Sequence, residues 1–475
     1  MTIATVVSGA AAAHDRSAEV LPRRVVDLTV VICSFGRPET LASALDRLFS
    51  SDVASVKELR LREVLVIDQA NAAIDFEDCY GGRVRRIRQD NFGGSGGFTR
   101  GIIEALDNGA EWILLMDDDA IPDPLSFGTL AAYISQKEHT RFALHGAMFS
   151  SSDPDMISEA GAFVEEPETR RFGIVPRLAG HRPKEPLEAD AELGRDTTVD
   201  YGAWWFFCVH ADTVKQVGLP LPLFIRGDDR EYGLRLKRAG IPTIALPGLR
   251  VWHPPHGERP DRWQMLYDWR NTFITKALYL GGRKGRFGLP WRFFWRTYRM
   301  IIGGFYETSE LMIAGLEEYL KGPIHCAVSH EETLRRARSI DGMYSVTAEL
   351  DNSSLLWPTP IRSWGKTRFV LQMLTLNGLL FPAKRAQACE ITALDCGEMD
   401  WRLTWRLTSF VVAFKEHSIC KTYTRSRKVA LSQFIRLAIS SLIYWARYRS
   451  LAQEWQGKST EFSTETFWRS YLGLR

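Results

Sequence analysis

Trp112-Ile113-Leu114-Leu115-Met116-Asp117-Asp118-Asp119 is the stretch whose reading decides the fold. An apolar run that meets three aspartates suits a buried strand whose end reaches solvent. Alternation along that strand sends Asp117 and Asp119 to one side and Asp118 to the other. Two convergent carboxylates make a site for a hard cation, Mn2+ or Mg2+, which would bridge diphosphate oxygens and neutralise a leaving group. The competing reading is a solvated acidic turn capping the helix that begins near Pro124.

Upstream, the same grammar repeats. Val25 to Cys33 is a β-rich run ending in Ser34-Phe35-Gly36-Arg37-Pro38, and Glu39 to Leu48 carries Leu41, Ala44, Leu45 and Leu48 at helical spacing. Glu63 to Ile67 is a second strand ending at Asp68, Val84 to Ile87 a third, and Gly101 to Asn108 a helix. Strands alternating with helices imply an α/β fold, a mostly parallel sheet covered on both faces. Ligands of such sheets bind beyond the carboxyl ends of the strands, where Ser34, Asp68, Asn91 and Asp117 fall.

Downstream of a helix at Leu125 to Gln136, the stretch Asp153 to Arg195 reads as an irregular excursion, and the regular pattern resumes at Val199. Beyond about Pro260 the sequence turns helical, at Trp263 to Leu280, Phe294 to Tyr319 and Leu403 to Phe414. The expected layout is a flexible arm over 1–24, an α/β domain over 25–275 and a mainly α-helical region over 276–475.

Three further strings carry chemistry. Asn91-Phe92-Gly93-Gly94-Ser95-Gly96-Gly97-Phe98-Thr99-Arg100-Gly101 leads from a strand into a helix, and reads either as a diphosphate-cradling loop or as a structural turn. It has neither the Walker pattern nor the dinucleotide register. Gly227-Asp228-Asp229-Arg230 places two carboxylates at a helix start, one suited to capping the helix and one free to act on a hydroxyl. Trp204-Trp205 offers sugar-stacking faces or core packing, and Val251-Trp252-His253 ends another strand.

A chain of 475 residues has room for two or three domains, and its net charge of +3 gives no sign of a nucleic-acid binder. Seven scattered cysteines, without a Cys-x-x-Cys pair, point to a reducing cytoplasm rather than a disulfide framework. No secretory pattern opens the chain, and the nearest approach to a membrane span, Phe434 to Ala446, is short and contains Arg436. Basic residues interleaved with aromatics from Arg283 to Arg299, and the basic segment from Lys421 onward, suit an anionic membrane surface or a solvated face.

As an ordered set these strings resemble the family 2 glycosyltransferases of GT-A fold, most closely the galactofuranosyltransferases that build bacterial galactan. The match runs through Cys33 to Pro38, Asp68, residues 92–101, residues 114–119, Trp204-Trp205, residues 224–233 and residues 246–253, over about 25–275. The resemblance implies Asp117, Asp119 and His253 as ligands of the divalent cation and Asp118 as a contact to donor sugar. It implies Asp229 as the base of an inverting displacement, with Asp228 beside it. Ser34, Arg37 and Asp68 would cradle uridine and ribose. Asn91, Gly93, Gly94, Gly96, Gly97 and Arg100 would face the donor, and Trp204 and Trp205 would line the pocket. The Tyr267-Asp268-Trp269-Arg270-Asn271 run also resembles the family, without a histidine expected near it.

The implied donor is UDP-galactofuranose and the acceptor a cell-envelope glycan or lipid-linked glycan at the inner membrane face. The C-terminal region would dock to the membrane or to another subunit of a homo-oligomer. Another nucleotide sugar, such as a rhamnose donor, and a non-catalytic glycan-binding scaffold are the competing readings. The polymerising relatives carry an N-terminal β-rich domain, whereas about 24 residues precede the first strand here, so acceptor and processivity stay open.

Overall fold

The computed structural model describes residues 24–70, 79–137, 141–164, 174–184, 190–254, 261–279, 288–349, 355–356, 366–381, 391–395, 400–414 and 417–474. The arm expected over 1–24 lies almost wholly outside the described residues. The first half runs β1 (Val26–Ser34), α1 (Pro38–Leu48), α2 (Ser51–Ala54), β2 (Leu59–Asp68), β3 (Val84–Arg88), α3 (Gly93–Asp107), β4 (Trp112–Asp117), β5 (Ile121–Pro122) and α4 (Leu125–Ser135). It continues with β6 (Ala143–Ser150), β7 (Ile157–Glu159), β8 (Ala162–Val164), β9 (Ile174–Pro176), β10 (Thr197–Val199), β11 (Phe207–His210), α5 (Ala211–Val217), α6 (Asp228–Arg238) and β12 (Thr243–His253).

The main sheet has the order β10-β12-β6-β11-β4-β1-β2-β3, with β5 on β12 and β7 on β6. β1 is parallel to β2 and β4, β2 to β3, and β6 to β12, while β11 runs antiparallel between β4 and β6. The mostly parallel α/β sheet expected from the sequence is what forms. Alternation sorts its side chains into two cores. Val30, Ile32, Leu114 and Met116 meet Leu41 and Leu45 of α1 and Phe127 and Leu130 of α4 on one face. Val31, Ile113 and Leu115 meet Phe98 and Ile102 of α3 and Leu236 of α6 on the other.

α3 begins eight residues earlier than expected, because the glycine run is helical. A Cβ on Gly97 would lie 2.3 Å from Cys33 Sγ, and one on Gly101 2.1 Å from Val31 Cγ1. These glycines let the helix backbone settle directly on β1.

The remainder comprises α7 (Met265–Tyr279), α8 (Leu289–Gly303), α9 (Tyr306–Leu320), α10 (Pro323–Val328), α11 (His330–Ile340), β13 (Ser345–Glu349), β14 (Leu355–Leu356), α12 (Lys366–Leu374), β15 (Ile391–Asp395), β16 (Ser409–Phe414), β17 (Ile419–Thr424), α13 (Arg427–Phe462) and α14 (Glu465–Tyr471). Helices dominate, but a five-stranded sheet, β13-β17-β16-β15-β14, sits among them. The helix expected at Leu403 to Phe414 is instead a single 3-10 turn, Trp401–Thr404, whose Asp400 side chain caps Arg402 N, followed by β16. Its Phe-Val-Val-Ala-Phe run is β-branched and aromatic, and pairing with β17 overrides a chance helical spacing. The helix expected over Phe294 to Tyr319 breaks at Gly304, φ +83°, into α8 and α9.

α13 is longer and more apolar than the sequence reading allowed. By length and composition it could cross a membrane, yet one side is bound into protein through Leu437, Tyr444, Leu451 and Trp455. Arg436 is neutralised by Glu310 and Glu317 of α9, which lets a charge sit in the run. α14 returns to the core on the α3 and α6 face of the main sheet, where buried Trp468 donates from Nε1 to Pro220 O at 2.8 Å.

Gly101→Ala should lower the unfolding free energy by ~1–3 kcal/mol through overpacking of Val31, measured as the shift in denaturant midpoint. An unchanged midpoint would mean that α3 can back away from β1.

Candidate active site

The strands β1, β2 and β4 end level: Ser34 pairs with Asp68, and Cys33 with Asp117. His253 ends a strand three places away in the sheet, and a hook in the chain closes that gap. After Asp119 the backbone turns through Ala120 into β5, where Ile121 pairs with Trp252. The residue next to Trp252 is His253. Its Nε2 lies 3.0 Å from Asp119 Oδ1 and 3.8 Å from Asp117 Oδ2.

Asp117, Asp119 and His253 therefore offer three ligand atoms within 4.8 Å of one another. The donor set fits a divalent cation. His253 Nδ1 lies 2.7 Å from Pro254 O, an acceptor only, so this nitrogen carries the proton and Nε2 is aimed at the carboxylates. Burial and the neighbouring Asp119 push the Asp117 carboxyl up to about 7, and a hydrogen bond with Asp119 raises the His253 imidazole against the opposing effect of burial.

β4 ends at Asp117, so Asp118 and Asp119 lie in the turn after it rather than alternating along a strand, and Asp118 takes its own set of partners. Its carboxylate accepts from Ser34 Oγ at 2.9 Å, Phe35 N at 3.1 Å and Arg37 Nη1 at 3.0 Å, and Arg37 also bonds Asp119. Burial still raises its carboxyl, with Arg37 opposing. Asp68, level with Ser34, is paired with Arg86 and accepts from Ala70 N at 3.0 Å.

The second acidic pair begins α6. Gly227, φ +79°, occupies the capping position, so neither aspartate caps the helix with its side chain. Asp228 accepts from Ser95 Oγ at 2.9 Å, and burial together with the charge of Asp229 pushes it up to about 7. Asp229 accepts from Arg230 N at 2.6 Å, and burial raises it. Both acidic groups bear on Cys33 at the end of β1: burial, then the charges of Asp118, Asp117 and Asp228, push its thiol up. The packing says the same: Ser95 of α3 bonds Asp228, Gly97 two residues on lies against Cys33, and Cys33 pairs with Asp117, so the two groups share one end of the sheet.

The glycine string serves this site differently from a phosphate cradle. Gly93 N is taken by Asn91 Oδ1 at 3.0 Å and Ser95 N by Phe224 O at 3.0 Å, so these amides already have protein acceptors. Gly93, φ +68°, lies so close to Phe224 O that a Cβ would approach it to 2.2 Å. Gly94 lies beside Asp228, and Gly96 and Gly97 pack on Phe92 and Cys33. Arg100 is turned to Glu104 at 2.9 Å, which also holds Arg85.

The profile of the family described as "Glycosyltransferase like family 2" matches residues 22–266. The chain belongs to glycosyltransferase family 2. Its curated relatives include galactofuranosyltransferase GlfT2 of Mycolicibacterium smegmatis, 29% identical over 70% of this chain and 53% of that protein. Galactofuranosyltransferase GlfT1 of the same organism is 30% identical over 47% of this chain and 70% of that protein. The chain spans about half the length of the GlfT2 relatives. Among solved structures, GalNAc-T7 with UDP, GalNAc and Mn2+ aligns at a TM-score of 0.44 and 15% identity, over 57% of this chain and 51% of that one.

In this family member Trp204 and Trp205 are buried, each 4% exposed, on opposite faces of the sheet. Trp204 meets Phe98 and Tyr232 edge-on, and Trp205 lies 6.3 Å from the His253 ring, so both support the site from within rather than present open stacking faces. Two residues escaped the sequence reading. Gln69 links Gly93 O, Phe92 N and Gln89, tying β2 to α3. Glu159, in the irregular excursion, is pushed up to about 8 by burial and by the charge of Asp229. Tyr201, raised by burial, responds to both. A lone glutamate ending a three-residue strand carries no pattern that could have singled it out.

A divalent cation held by Asp117, Asp119 and His253 would have to displace protons from Asp117 and His253, both raised, so Mn2+ affinity should tighten as pH rises from about 6 to 8. Calorimetry across that range checks it; a flat profile would place the cation elsewhere.

Proposed function

We propose that this chain is an inverting, divalent-cation-dependent transferase that moves galactofuranose from UDP-galactofuranose to a cell-envelope glycan or lipid-linked glycan. The observation that carries the reading is the sharing of one sheet end by the Asp117, Asp119 and His253 cluster and the Asp228 and Asp229 pair, linked through Cys33, Gly97 and Ser95. The names of the GlfT1 and GlfT2 relatives support galactofuranose as the sugar.

In this reading Asp117, Asp119 and His253 hold Mn2+ or Mg2+, which when bound supplies positive charge to the departing diphosphate. Ser34, Arg37 and Asp68 line the nucleoside side, and Asp118 meets the donor sugar. Asp229 takes the proton of the acceptor hydroxyl as its oxygen bonds to the anomeric carbon and the bond from that carbon to the diphosphate breaks. One displacement on the opposite face inverts the centre. Burial suits Asp229 to the task, because a raised carboxyl is a stronger base than an exposed one.

Work at the inner face of the cell membrane fits a surface on α8 and α13. Leu431, Ile439, Leu442 and Trp445 are exposed on α13 beside exposed Trp291 on α8. Arg292, Arg296 and Arg299 are exposed with them, and α8 has no acidic residue. Such a face suits an anionic bilayer surface. Vesicles rich in anionic lipid should sediment the protein at low ionic strength; equal failure with anionic and neutral vesicles would remove this part of the reading.

UDP release from UDP-galactofuranose with Mn2+ or chelator tests the rest. Turnover should require the cation and an acceptor, and fall at least ~100-fold in both Asp229→Ala and Asp117→Ala. Activity with another nucleotide sugar alone would keep the chemistry and discard galactofuranose; no turnover with any donor would favour a glycan-binding scaffold.

A further inference from the structure

Arg270 and Asn271 of α7 have no part in the chemistry proposed above, yet both are wholly buried, at 0% exposure. They face the turn that delivers Asp228 and Asp229. That turn, Leu223 to Gly227, is bent into a conformation ordinary residues avoid: φ is +66° at Phe224, +69° at Arg226 and +79° at Gly227. Two side chains larger than glycine in the left-handed region stay there only if the surroundings hold them.

The holding group is one amide. Asn271 Nδ2 lies 3.1 Å from Leu223 O, 2.9 Å from Ile225 O and 2.7 Å from Arg226 O. Its Oδ1 accepts from Arg270 Nε at 2.9 Å, which fixes the amide so that its nitrogen faces the turn. Arg270 also donates to Leu223 O at 2.6 Å. The remaining carbonyl, Phe224 O, accepts from Ser95 N at 3.0 Å, and the Phe224 ring is stacked between Tyr267 and His330. Each carbonyl from Leu223 to Arg226 is thereby turned inward, and the chain leaves Gly227 into α6 with its two carboxylates at the helix start.

We propose that Asn271 is a positioning residue that fixes the Asp228 and Asp229 carboxylates by holding the Leu223–Gly227 turn in its left-handed conformation. The inference rests on Asp229 being the base. The side chain must be a donor of this length: an aspartate would set a carboxylate against three carbonyl oxygens, and alanine would leave two of them unbonded.

The test compares Asn271→Asp, Asn271→Ala and Asn271→Ser in the full chain, with Asp229→Ala in parallel. For each, kcat and the donor KM come from the transfer assay, and the fraction of competent sites from titration with UDP and Mn2+. Misplacement of the base should lower kcat per competent site by about 100-fold in the Asp and Ala variants, with donor KM and UDP affinity within about threefold of the parent chain. Asn271→Ser, which keeps one donor in a smaller side chain, should fold and fall in between. The proposal is overturned if Asn271→Asp keeps kcat within about threefold, or if kcat falls in the Ser variant only in proportion to the loss of competent sites. Full activity in Asp229→Ala would instead overturn the base assignment, whatever the Asn271 variants do.

Discussion

Crowding of carboxylates at one end of a buried sheet is the constraint on which the rest of this structure depends. Asp117, Asp118, Asp228, Asp229 and Glu159 are all raised, in each case first by burial. Against them stand Arg37, bonded to two of the aspartates, and His253. Burying so many like charges is unfavourable unless protons or a cation offset them. The arrangement therefore has two ways to be comfortable: protonated and closed on itself, or open to a divalent cation and an anionic ligand.

Geometry that brings the charges together is held by features remote from any ligand. The hook from Asp119 to β5 carries His253 across the width of two intervening strands. The glycines of α3 let its backbone lie on β1 and bring Ser95 to Asp228. α7 clamps the Leu223–Gly227 turn from behind. Tight packing without side chains on α3 and strain in the turn before α6 are complementary, since Phe224 O sits where a Cβ on Gly93 would be. Residues beyond 266, outside the family match, supply part of that clamp.

Much of this was legible in the sequence, because two signals are strictly local. Short apolar, β-rich runs locate β1, β2, β3 and β4, and acidic residues directly after two of them locate strand ends where ligands of such sheets bind. What stayed hidden depends on contacts between distant segments. The glycine string reads as a loop by composition, and only the nearness of Cys33 and Val31 makes it a helix. Leu403 to Phe414 has a helical spacing of apolar residues, but its β-branched centre pairs with β17. Glu159 sits in a stretch with no repeat or motif, and Asn271 closes a run that the sequence marks only by resemblance and without a role; their significance comes from Asp229 and the carbonyls of Leu223 to Arg226, which the chain brings to them only on folding. Strand alternation does not reach Asp118 and Asp119, which lie in the turn after β4: Arg37 bonds both, while Ser34 meets Asp118 and His253 meets Asp119.

A crystal structure with Mn2+ and UDP, its metal located by anomalous scattering, tests the central claim most directly. The account predicts one peak at bonding distance from Asp117, Asp119 and His253 Nε2, with the diphosphate on the same ion and the hydrogen bond between His253 and Asp119 gone. A peak elsewhere, or UDP bound with that hydrogen bond intact and no metal on the two aspartates, would contradict it.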